Sequence, residues 1–79
     1  MISDVKSVTS YVFASNVRNL CRTHSIRIGE LEDRLGVSHG YFSESRARRR
    51  KRTPASVLVD VMEIFDVSAE SLLRRAIPE

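Results

Sequence analysis

Arg46, Arg48, Arg49, Arg50, Lys51 and Arg52 place six cationic side chains within seven residues. Cations that close together can neutralise a polyanion such as a run of phosphates. Immediately before them stand Ser38, His39, Ser43 and Glu44. Hydroxyl and imidazole groups can donate or accept hydrogen bonds, and a carboxylate accepts only. The segment therefore joins groups suited to holding a polyanion with groups suited to reading a polar edge. Taken alone, the basic run has a competing reading as a solvated loop without a partner.

The charge is concentrated rather than spread. The chain carries 13 basic and 10 acidic residues, a net +3, and outside the basic run the balance is −3. The 79 residues suit one domain with a small core. Cys21 is the only cysteine, so no disulfide forms within the chain, and a lone cysteine suits a reducing compartment. One cysteine and two histidines make no zinc spacing, so no metal or cofactor is expected. No apolar stretch reaches membrane-spanning length, and the start "MISDVKS" lacks a signal-peptide pattern. The expected location is cytoplasmic. No His/Cys/Asp constellation and no phosphate-cradling glycine loop appears, so an enzyme is not expected.

The elements that must position these groups read as helical throughout, with no strand. A first helix from about Ser10 to Thr23 places Phe13, Val17, Leu20 and Cys21 on one face. Residues 1–9 read as an N-terminal arm or an extra helical turn, and residues 10–79 as the domain. A second helix covers about Ile28 to Leu35, with Gly36 free to take the left-handed position that ends it. Ser38 suits the N-cap of a third helix, "HGYFSES", anchored by Phe42. In "TPAS", Thr53 caps a fourth helix and Pro54 takes its first position. Ser68 caps a fifth helix containing Leu72 and Leu73. The expected core is Phe13, Val17, Leu20, Leu31, Leu35, Val37, Phe42, Leu58, Val61, Phe65 and Leu72. A short helix, a glycine turn and a second short helix form a helix-turn-helix over about residues 28–46.

Over Asn16 to Leu73, roughly three quarters of the chain, the sequence resembles the Cro/repressor-type helix-turn-helix family, often called the Xre family. The matching stretches are "NVRNL", "ELEDRLGVS", "YFS" and "VMEIFDVSAESLL", in that order. The resemblance implies an all-α, five-helix, lambda-repressor-like domain that binds double-stranded DNA as a transcriptional regulator or repressor. It implies a third helix in the major groove and a homodimer reading two half-sites. Carried over by position, the base-facing residues are His39, Gly40, Ser43 and Glu44. Gly40 can admit close approach but offers no side chain to a base. Backbone contacts fall to Arg27, Ser38, Tyr41 and Arg46, and to Arg48, Arg49, Arg50, Lys51 and Arg52 in a basic linker over residues 46–52. Tyr41 either touches a phosphate or packs against the second helix. An alternative within the same fold is a protein-interaction module, such as an antitoxin or a regulator subunit, whose basic run grips an acidic protein partner.

The chain departs from the family pattern at named places. Arg27 and Ile28 stand where a capping Ser and a phosphate-binding Gln are common. Glu32 occupies a position usually given to a small residue, so either the helices splay or its carboxylate bends out to solvent. Cys21 and Arg46 replace both members of a common Arg–Glu pair, and removing both avoids a buried charge left alone. Arg46 is then free to face solvent or DNA. Ser45 stands where an apolar residue is usual. The linker is about two residues longer than the common form. Ile2, Val5, Val8, Leu73 and Ile77 remain as apolar residues for a self-association surface near the termini.

Overall fold

The structure, a computed structural model, describes residues 7–74, with side chains from Thr9 onward. In chain order it comprises β1 (Ser7–Thr9), α1 (Ser10–Thr23), α2 (Ile28–Leu35), α3 (Glu44–Arg50), β2 (Arg52–Pro54), α4 (Ala55–Phe65) and α5 (Ala69–Leu73). The described chain is thus mostly helical, with five helices.

Helix α1 organises the rest. Ser10, Phe13, Ala14, Val17 and Cys21 recur at helical spacing and are all buried. The helix packs against each of the other four. Its Asn16 amide donates to the Leu72 carbonyl at 2.6 Å and the Arg74 carbonyl at 3.1 Å, tying down the end of α5. Helix α2 ends as expected at Gly36, whose φ is +74°. The Gly36 N–H reaches the Asp33 carbonyl and the Val37 N–H the Glu32 carbonyl, so the last turn is closed by backbone alone. Ser68 caps α5 as expected, accepting from the Ser71 N–H at 3.3 Å.

Three expectations are corrected. First, a strand pairing exists: β1 and β2 run antiparallel, with Val8 opposite Thr53. The last three residues of the segment read as an arm therefore take part in the fold. Second, Thr53 does not cap α4. It is fully buried, and its hydroxyl shares a 2.6 Å hydrogen bond with that of Ser10. Pro54 takes the N-cap position, without a side-chain cap bond.

Third, the third helix does not run over residues 39–45. Residues 38–43 form tight turns, in which Tyr41 N–H reaches the Ser38 carbonyl and Ser43 N–H the Gly40 carbonyl. Gly40 sits at φ +88°, which no right-handed helix accommodates. Ser43, not Ser38, is the N-cap, and accepts from the Arg46 N–H. The helix that follows is the basic run itself. Ala and Arg are strong helix formers. Glu44 in the first turn and Arg48, Arg49 and Arg50 in the last turn suit the helix dipole. Ser45 points outward and Ala47 takes the buried position.

The core comprises Phe13, Ala14, Val17, Cys21, Leu31, Phe42, Ala47, Leu58, Val61, Phe65 and Leu72. Leu20, Leu35 and Val37, expected inside, are partly buried against it. Burial, and secondarily the nearby Glu32 carboxylate, push the Cys21 thiol above its ordinary pKa. The fold therefore favours the neutral thiol. That contribution is complete below the unfolded thiol pKa of roughly 8.5 and is lost as pH rises through the raised folded value. Urea unfolding from pH 7 to 10 should show the parent losing more stability than Cys21→Ala across that window.

Candidate nucleic-acid interface

The turn leading into α3 is held by charged side chains from three helices. Glu32 on α2 is 1% exposed. Its carboxylate does not bend out to solvent but turns inward to the backbone of the turn. One of its carboxylate oxygens accepts from the Gly40 N–H at 3.0 Å and the other from the Phe42 N–H at 3.2 Å. Both oxygens are thereby satisfied, which is the condition for keeping a carboxylate inside. Arg18 on α1 donates to the Phe42 carbonyl at 2.5 Å. Arg50 on α3 donates to the Tyr41 carbonyl at 2.9 Å. Between Gly40 and Phe42, backbone groups that a helix would have paired are paired by side chains instead.

Arg50 differs from its neighbours in the basic run. It is half-buried, its guanidinium lies 3.7 Å from the Tyr41 ring centroid, and its Nε reaches the Ser10 and Thr53 hydroxyls at 3.4 and 3.3 Å. These contacts make it a brace of the turn rather than a cation offered to a phosphate. Tyr41 sits half-buried beneath it, edge-on to Phe42.

The remaining cations of the run are exposed: Arg46, Arg48, Arg49, Lys51 and Arg52. Arg48 stacks over the Tyr11 ring at 4.3 Å and forks onto a Glu44 oxygen at 3.0 and 3.1 Å. The hydrogen bond to Glu44 raises its pKa further. Glu44, carried over as a base-facing acceptor, is thus already engaged, and its charge is offset. Arg46 leans back over the turn. Its Nη1 is 3.5 Å from the Ser38 hydroxyl, and its Nε would be 3.7 Å from a Cβ placed on Gly40. Arg46 and Arg49, three residues apart, share a helix face. Lys51 closes α3 at φ +68°, a left-handed backbone for which a non-glycine residue pays roughly 1–3 kcal/mol. Its carbonyl accepts from the Ser10 N–H at 2.8 Å, which fixes the exit of the helix against α1.

His39 is exposed at the tip of the turn, its Nε2 2.8 Å from an Asp33 oxygen. Its ring reaches back over α2, so that a Cβ added to Gly29 would lie 3.9 Å from its Cε1. That brings the start of α2, where Arg27 is exposed at the N-cap, beside the turn. Ser38 is exposed, and Ser43 is spent largely on capping α3. The structure thus gathers Ser38, His39, Gly40 and Arg46 together and commits Ser43, Glu44 and Arg50 to internal contacts. Arg18, Asp33 and Ser10 shape this surface without having stood out in the sequence, and Thr53, expected only as a helix cap, braces Arg50 from within. Only Glu32 carried a visible signal, as a carboxylate where a small residue was expected.

Among the described residues, no group of three or more His, Cys, Asp or Glu side chains could hold a metal ion. No described helix is long and apolar enough to cross a membrane. In comparisons with known proteins, no protein-family model, no curated protein and no solved structure matches this chain.

Proposed function

We propose that this chain is a sequence-specific double-stranded DNA-binding transcriptional regulator of the Cro/repressor (Xre) type, acting in the cytoplasm as a homodimer. The observation that carries the reading is the joining of five exposed cations on α3 and its exit to a rigidly clamped turn that exposes Ser38 and His39. Phosphate contacts set affinity and register, and the turn beside them addresses base edges. In this reading the groove receives the turn over residues 38–43 and the start of α3, in place of a helix over residues 39–45. Ile2, Val5 and Ile77, considered for self-association, lie outside the described residues. Leu73 is 39% exposed and remains available for it.

The test is duplex binding across a range of salt. Arg46→Ala with Arg49→Ala should weaken binding to a selected site and to a scrambled duplex about equally. It should also flatten the salt dependence by roughly one unit of log–log slope per lost phosphate contact. Arg34→Ala, an exposed cation at the end of α2, should leave the slope unchanged. If the double variant binds both duplexes as the parent does, the basic face is no phosphate clamp, and a protein-interaction module of the same fold becomes the better reading.

A further inference from the structure

We propose that Asp33 is a positioning residue for sequence reading: it fixes which nitrogen of His39 carries the proton and which edge of the ring faces outward. The inference rests on the DNA-binding reading and names a determinant of its specificity. An aspartate carboxylate only accepts hydrogen bonds, so the 2.8 Å contact requires the proton on Nε2. In the neutral ring, Nδ1 is then an acceptor. What orients the ring is the bond to Asp33 itself, made from a turn whose backbone is pinned through Gly40 and Phe42. Both residues of the pair are about two-thirds exposed, so the outward edge is open to a ligand.

A fixed acceptor at that place selects for a base that offers an amine in the major groove, which means cytosine or adenine. At the same place guanine and thymine offer oxygen acceptors, which repel the Nδ1 lone pair. Asp33 thus acts through His39 and touches no base itself. A surface pair of this kind contributes little to stability, which lets the test separate positioning from folding.

The experiment selects a preferred duplex, then locates the base pair at which His39→Ala loses discrimination. Asp33→Ala should lose preference at the same base pair, by about tenfold. The double variant should be no worse than His39→Ala alone. Asp33→Asn, which keeps an acceptor oxygen but not the charge, should retain most of the preference. In the free protein, ring 15N signals of His39 should show Nε2 protonated in the parent and a tautomer mixture in Asp33→Ala. If Asp33→Ala keeps the parent's preference, or its effect adds to that of His39→Ala, the positioning role is overturned while the DNA reading stands. If the parent itself cannot distinguish the selected from the scrambled duplex, the DNA reading fails and this assignment with it.

Discussion

Glu32→Ala is expected to remove about 3–5 kcal/mol of stability, although the residue lost is charged and lies on a helix of only eight residues. The change deletes two charge-assisted hydrogen bonds and leaves the Gly40 and Phe42 N–H groups without their acceptor. The Phe42 bond is buried, so water replaces it poorly. Glu32→Gln should fall between, at about 1–3 kcal/mol, since a carboxamide offers one oxygen but turns an N–H₂ group toward the other donor. Chemical unfolding of the three proteins checks the order. An alanine variant within about 0.5 kcal/mol of the parent would mean that the turn does not depend on this carboxylate.

Phe42→Ala should cost a similar amount, about 3–5 kcal/mol, by a different route. The ring is fully buried and meets Phe13 edge-on, with centroids 5.9 Å apart. Its removal leaves a cavity between α1 and the turn. Its backbone is held on both sides, N–H by Glu32 and carbonyl by Arg18, so the turn has little freedom to collapse into that cavity. A chain of this size has a total stability of only about 5–15 kcal/mol, so the variant approaches the unfolding threshold. Phe42→Leu, which refills much of the space, should recover a good part of the loss. If both variants unfold with the parent's midpoint, Phe42 is not the anchor of the segment that carries the proposed reading surface.

The parts legible in the sequence are those whose cause is local. The apolar face of α1 repeats at helical spacing, Gly36 supplies a left-handed stop, and Ser68 stands before a short apolar helix. The third helix lies further along the chain than Ser38 suggests, because Ser43 and not Ser38 caps it. The deciding facts were also present: a glycine two residues after Ser38, and strong helix formers after Ser43. Local propensity favoured the basic run over "HGYFSES" as the helix. What no local rule supplies is the identity of long-range partners. Glu32 read as a misfit because its acceptors' partners are backbone N–H groups eight and ten residues on. Arg50 looked like every other member of the run until the fold placed Ser10, Thr53 and Tyr41 around it. Thr53 read as a cap because its position just before proline suits one, whereas pairing of β1 with β2 draws it inward.

The central claim is that the clamped turn and the basic helix together form a duplex-binding face. Its most direct test is to titrate the 15N-labelled chain with its selected duplex and with a scrambled one, at low and at moderate salt. The account predicts that amide shifts gather over residues 38–52 and at the start of α2. With the scrambled duplex they should be confined to α3 and its exit and fade as salt rises; with the selected duplex those of residues 38–40 should persist. Shifts centred on α4 and α5, or no shift with either duplex at low salt, would contradict it.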